Sequence, residues 1–334
     1  MIELQNIRRS MGARELFTSI NLLLPARSLS AIIGRNGEGK STLLRIISGV
    51  DKDYEGNRTV TAGETIAFAT QEAESHEGES AREFIKRRLP NYEKLNEIIE
   101  NGHALLSGNK SDMTTYSDAL EHFTQRGYFT IDANIEKAAA TIGLPESLLE
   151  QAYKTLSGGQ QKLIDLAMIM VSPATTLLFD EPTNHMDAWA KRSFIEWLRK
   201  QSSTILIVTH DRDILDVVGT IYELKVRKLI EYTGNYQAYL RQNRVSTSTS
   251  IHQFEVDTKT VDKLKKQLVE AERKKLRCKA NPNPFVPLVI RLKKQLAEIE
   301  DELEKPSAWI DQRSVADLKP DERKRYEKYK TTGL

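Results

Sequence analysis

One cysteine, Cys278, stands in 334 residues. A lone thiol closes no intramolecular disulfide, so a disulfide-stapled secreted fold is excluded, and a reducing cytoplasm is the natural setting. No apolar run approaches the ~18 residues that a membrane span needs. The opening stretch MIELQNIRRS has no signal-peptide hydrophobic region. Net charge is also scarce, at +2, but it is unevenly divided. Residues 241–334 hold 22 Lys+Arg against 15 Asp+Glu, whereas 1–240 carry a net charge of −5. A mildly acidic body with a basic appendage points to nucleic acid as a partner. The length suffices for two domains.

The first 240 residues alternate strand and helix patterns. Residues 2–7 and 19–24 read as short strands, and 58–70 as two more about an Ala62-Gly63-Glu64 turn. Residues 72–155 are polar and helix-rich, with helices expected near 80–88, 91–100, 115–126 and 131–141. A helix over 160–171, a strand over 176–180, a helix near 188–200, a strand from Ser203 to Thr209 and a hairpin over 220–233 follow. This order predicts an α/β fold about a largely parallel sheet, with its site at the C-terminal strand ends.

The chemistry begins where an apolar strand, Leu29 to Ile33, runs into Gly34-Arg35-Asn36-Gly37-Glu38-Gly39-Lys40-Ser41-Thr42. This is the pattern G-x-x-x-x-G-K-[ST], followed at once by the helical stripe Leu43, Leu44, Ile46 and Ile47. Glycines let backbone N–H groups turn inward around a phosphate, and the helix N-terminus adds unpaired donors and positive dipole. Lys40 is expected to reach the β- and γ-phosphates of a nucleotide, and Ser41 to ligate Mg²⁺. A second apolar strand ends in Phe179-Asp180-Glu181. Asp180 then suits Mg²⁺ and Glu181 the polarisation of an attacking water. Leu156-Ser157-Gly158-Gly159-Gln160 is a run of small residues opening a helix, readable as an anion site or as a plain cap with Ser157 at the N-cap.

Together GRNGEGKST, Gln71, LSGGQ, LLFDEP, Asp187 and Thr209-His210 stand in the order of an ABC-type ATPase domain, which residues 1–240 resemble. The resemblance implies ATP and Mg²⁺ as cofactors. It implies that Gln71 joins Mg²⁺ to the attacking water and that His210 contacts the γ-phosphate. It also implies that Ser157, Gly158, Gly159 and Gln160 close over ATP on a second ABC domain. Asp180 to Asp187 reads DEPTNHMD, similar to the ABC-F proteins, which act on ribosomes and lack membrane domains. Gly234-Asn235-Tyr236 resembles the ABC-F exit from the first domain. By the same resemblance the partners are large-subunit rRNA and the P-site tRNA region, and the second ABC domain lies in cis or comes from a homodimer in trans. A fragment of a longer chain is expected. The stretch from Lys305 to Asp311, with Tyr326 and Tyr329, looks closer to the antibiotic-resistance branch. Met11 stands where many ABC domains stack an aromatic residue on adenine.

Beyond 240 the pattern changes. Ser246 to Ser250 reads as a polar hinge. Val261, Leu264, Leu268 and Ala271 form one helical stripe, and Val289, Leu292, Leu296, Ile299 and Leu303 form an a/d seam. Asn281-Pro282-Asn283-Pro284 stops the first helix. The expected linker, 241–334, is thus a basic helical hairpin. Lys263, Lys266, Arg273, Lys274, Lys275, Arg277 and Lys279 are candidates for RNA phosphates, with Phe285 as a tip contact. Spacing alone fits the solvated outer face of a coiled coil equally well. Nine of the twelve basic residues in 259–294 precede the tip, which favours RNA. The competing reading of the whole chain is the ATPase subunit of a membrane transporter.

Overall fold

The computed structural model describes residues 1–12, 14–69, 76–102, 110–278 and 284–302. The chain divides into two compact units, the first Met1–Gln237 and the second beginning at Ala238.

The first unit contains two sheets. Strands β1 (Ile2–Met11), β2 (Arg14–Leu24) and β4 (Glu55–Val60) form an antiparallel sheet in the order β2-β1-β4. The six-stranded sheet holds β3 (Leu29–Gly34), β5 (Ile66–Phe68), β6 (Thr176–Asp180), β7 (Thr204–Val208), β8 (Thr220–Lys225) and β9 (Lys228–Thr233). Their order is β5-β6-β7-β3-β8-β9, parallel except for the β8–β9 hairpin. Parallel strands covered on both faces read as unbroken apolar runs. TILIV in β7 is buried at every residue, and so are Ser30 to Ile33 of β3.

Helix α1 (Lys40–Ser48) fills the space between the sheets. Leu43, Leu44, Ile46 and Ile47 are wholly buried and join Ile7, Phe17 and Ile20 of the small sheet to Ile32, Leu178 and Leu206 of the large one. Burying a side chain of this size contributes about 1.5–3 kcal/mol. The stripe that identifies α1 in the sequence therefore also holds the loop before it in place.

A helical section follows, with α2 (Ala81–Arg88), α3 (Tyr92–Glu100), α4 (Lys110–Gln125), α5 (Ile131–Thr141) and α6 (Gly158–Val171). Helix α4 begins five residues before the expected 115. Lys110 to Thr114 contain no Gly or Pro to stop a helix. Helices α7 (Ala188–Lys200) and α8 (Arg212–Leu215) flank β7.

The second unit corrects one expectation. Helix α9 runs unbroken from Tyr236 to Arg277, so Ser246 to Ser250 is helix and not a hinge. Ser and Thr are mediocre helix formers, but each costs only a few tenths of a kcal/mol, and no Gly or Pro interrupts the segment. Helix α10 spans Val286–Glu302. Ala271, Val289 and Leu292 are buried together, with Leu264 and Leu268 packed against them. Lys293 reaches Glu272 across this seam at 3.0 Å. Leu276, off the stripe, is 85% exposed. Asn281 to Asn283 and Leu303 lie outside the described residues.

Candidate nucleotide-binding site

Strand β3 delivers the chain into a loop whose glycines are sterically required. A Cβ at Gly34 would stand 2.6 Å from the Leu224 carbonyl oxygen, and one at Gly39 2.9 Å from the Phe17 ring. Both residues have positive φ, 155° and 101°, which favours glycine. Helix α1 then starts at Lys40, with the Leu43 N–H donating to the Gly39 carbonyl at 2.8 Å. Lys40 is buried, and its Nζ donates to the carbonyls of Gly34 (2.8 Å) and Arg35 (3.1 Å). Burial pulls its pKa below the ordinary lysine value, opposed by Glu181, Glu38 and Asp180. The ammonium is thus poised over two carbonyl oxygens that an anion can replace.

The ends of β6 and β7 supply the opposite wall. Asp180 pairs with Val208, and the Glu181 N–H donates to the Val208 carbonyl at 2.8 Å. Glu181 has left-handed backbone, φ 48°, a strain of order 1 kcal/mol for a non-glycine residue. Such strain is characteristic of functional positions. Burial raises the Glu181 pKa, opposed by Lys40, with Asp180 adding to the rise. His210 Nε2 lies 3.5 Å from Glu181 Oε1. Burial lowers the His210 pKa, and Lys40 lowers it further. The lowered imidazole pKa and the raised carboxyl pKa both disfavour a charged pair between these two side chains.

Between these walls lies a cavity of about 510 Å³ lined by Met11, Arg14, Leu16, Asn36, Gly37, Gly39, Lys40, Ser41, Thr42, Asp180 and Glu181. Residues far apart in the sequence thus converge on one space. Gly34 and Arg35 sit behind the loop and meet Lys40 through their carbonyls. Gln71 lies outside the described residues. Arg14 is an addition that the sequence motifs do not point to. It opens β2 in the other sheet, and its Nη2 donates to the Gly37 carbonyl at 2.8 Å. Only the packing of the two sheets brings it there. Met11 stands at the cavity, 58% exposed.

The turn at Ser157, Gly158, Gly159 and Gln160 is not part of this lining. Ser157 caps α6, and Gln160 reaches back to the Ser157 N–H and hydroxyl in a reciprocal capping box. His185 lies beside it: its Nδ1 is 3.5 Å from where a Cβ on Gly159 would stand. Asp187 caps α7 through the N–H groups of Trp189 and Ala190.

Among the described residues no three His, Cys, Asp or Glu side chains cluster as a ready metal cage. The Ser41 hydroxyl and the Asp180 carboxylate, which line one cavity, instead fit Mg²⁺, which takes few protein ligands and completes its shell with phosphate and water. In the second unit Lys263, Lys266, Arg273, Lys274, Lys275 and Arg277 are all exposed. Phe285 is half-buried, and Lys279 lies outside the described residues.

The chain is similar to known proteins in family and fold. The family described as ABC transporter matches residues 17–184. The energy-dependent translational throttle protein EttA of Haemophilus influenzae is 31% identical over 69% of this chain and 42% of its own length. Its namesake in Escherichia coli is 29% identical over 75% and 46%. The chain thus spans less than half the length of these curated relatives. A dimeric bacterial ABC transporter cassette, MJ0796, superposes with a TM-score of 0.50 at 21% identity, over 70% of this chain and 98% of that one, and so shares the fold. The chain belongs to the ABC family of ATP-binding cassettes, and within it to the ABC-F members.

Proposed function

We propose that this chain binds and hydrolyses MgATP, and that it uses this cycle to act on the ribosome. The observation that carries the reading is the convergence of Lys40, Ser41, Asp180 and Glu181 on one cavity, with His210 against Glu181. In this reading Lys40 leaves its carbonyls for the β- and γ-phosphates. The N–H groups around Gly37 and Gly39 cradle the phosphates, and Asn36 and Thr42 complete the floor. Ser41, Asp180 and Gln71 hold Mg²⁺, which offsets phosphate charge. Glu181, with its raised pKa, accepts the proton of the attacking water, and His210 contacts the γ-phosphate. The turn from Ser157 to Gln160 closes over ATP held by a second ABC domain, supplied in cis or by another copy.

Ribosome action rests on the basic second unit and on the relatives, which are named translational throttles. Exposed Lys and Arg on α9 neutralise RNA phosphates and contribute affinity without base choice. The site of action is the large subunit near the P-site tRNA, and the role is control of translation or protection of the ribosome from antibiotics. The residues expected to mark the resistance branch, 305–329, lie outside the described residues. Among the described residues no helix is long and apolar enough to cross a membrane.

Co-sedimentation with ribosomes tests the reading. The Glu181→Gln chain, which keeps ATP binding and lacks the base, should pellet with ribosomes only when ATP is present. Recovery in the membrane fraction instead would favour the transporter subunit.

A further inference from the structure

Glu38, the residue between Gly37 and Gly39 of the loop, has no part in the mechanism above, yet it is built into the site from behind. Its Oε2 accepts the Arg35 N–H at 2.8 Å. The same oxygen would stand 2.8 Å from a Cβ on Gly34, so the missing side chain at Gly34 is what makes room for it. On the other end of the same Gly34–Arg35 peptide group, the Gly34 carbonyl accepts from Lys40 Nζ at 2.8 Å. One peptide dipole therefore lies between a carboxylate on its N–H and an ammonium on its C=O, the orientation that stabilises both charges.

The remaining charged groups facing Glu38 are Arg35, Lys40 and Glu223 of β8. Glu223 is buried, and its carboxylate accepts the Tyr232 hydroxyl of β9 at 3.1 Å. Glu38 thus has a cation on each side of its own loop and a second carboxylate behind it. Burial raises its pKa, Arg35 and Lys40 oppose the rise, and Glu223 adds to it.

We infer that Glu38 is an affinity-setting residue of the nucleotide site, an internal anion that holds Lys40 at the loop carbonyls and opposes the phosphates that draw it away. The inference rests on nucleotide binding at this loop. When phosphates draw Lys40 off the Gly34 carbonyl, Glu38 loses part of its compensation and gains negative charge nearby. Binding therefore draws a proton onto the Glu38 carboxylate in mildly acidic solution. Ionised Glu38 weakens binding, so affinity rises as pH falls and Glu38 is neutralised.

Isothermal titration of the full chain with MgADP, at pH 6 in two buffers of different ionisation enthalpy, reads this proton directly. The wild-type chain should take up more protons per nucleotide than Glu38→Gln, which keeps an acceptor for the Arg35 N–H and loses the charge. Glu38→Gln should also bind MgADP more tightly at pH 7.5, on the order of fivefold for unit charges across a partly solvated loop, and the gap should close toward pH 5. Equal proton uptake in the two proteins, or a variant that binds no tighter, overturns the inference. Should Glu38→Gln fail to fold, a wild-type chain that binds MgADP with no proton uptake between pH 5 and 7 overturns it alone. A wild-type chain that binds no MgADP refutes the nucleotide-site reading itself, and the role of Glu38 falls with it.

Discussion

The two units use charge in opposite ways. In the first, Lys40, Glu38 and Glu181 are wholly or partly buried, His210 lies against Glu181 with 43% of its side chain exposed, and their pKa values are displaced mainly by desolvation and by neighbouring charges. Each has a specific geometry, and replacing one changes the field at the others. In the second, Lys263, Lys266, Arg273, Lys274, Lys275 and Arg277 of α9 are exposed, and Lys274 pairs with Glu270 one turn away on the same helix face. Exposed pairs of this kind contribute little. A buried charge acts singly through position, whereas an exposed array acts collectively through its sum.

The largest break expected is at Glu181. Glu181→Gln should lower ATP hydrolysis about 100- to 10,000-fold, the range for a lost general base, while MgATP affinity measured by titration stays unchanged. A parallel loss of affinity would mean that Glu181 serves binding instead. Next comes the array. Reversing Arg273, Lys274, Lys275 and Arg277 together should abolish ribosome co-sedimentation and lower the salt dependence of RNA binding by about 0.7–0.9 for each phosphate no longer neutralised. Lys274→Ala alone should change binding by no more than about threefold. A single substitution that abolished binding would show the array to be a specific site and erase the contrast.

Asp165 of α6 sharpens the comparison through stability. Burial raises its pKa to about 6, opposed by Arg88 and by the Tyr153 hydroxyl, which donates to it at 3.4 Å. The folded chain then holds this proton where the unfolded chain has released it, so stability declines as pH rises from about 4 through 6. Asp165→Asn should be more stable at pH 7, by up to ~2 kcal/mol, with no advantage at pH 4. Thermal denaturation across that range reads the sign. A smaller effect on stability is expected at Asp187, whose loss as the cap of α7 should cost about 1 kcal/mol. An Asp187→Ala chain that denatures at an unchanged temperature would count against a capping role.

Much of this was legible before the fold was known. The strand–loop–helix order at Leu29–Ser48 and the strands ending at Asp180 and before His210 are local patterns. The structure brings Lys40, Asp180 and Glu181 to one cavity, with His210 beside it. The polar run at 246–250 misled, because side-chain polarity marks a hinge only when Gly or Pro accompanies it, and here α9 passes through. Arg14 and Glu38 were not legible as parts of the site. Arg14 belongs to the first two-strand turn, and the x positions of the loop pattern accept most residues.

Periodicity and motif spacing in the sequence determined that the chain would be α/β, where its glycine loop lies, and that a basic helical pair follows. These properties depend on short-range sterics, on glycine's freedom at positive φ and on the 3.6-residue repeat, which each segment carries by itself. Tertiary structure alone decided that β7 separates β6 from β3, that the small sheet lends Arg14 to the cavity, and that Gly34 leaves space for the Glu38 carboxylate. Contacts between distant segments form only once the shared core around α1 is packed, and no local pattern encodes their distances.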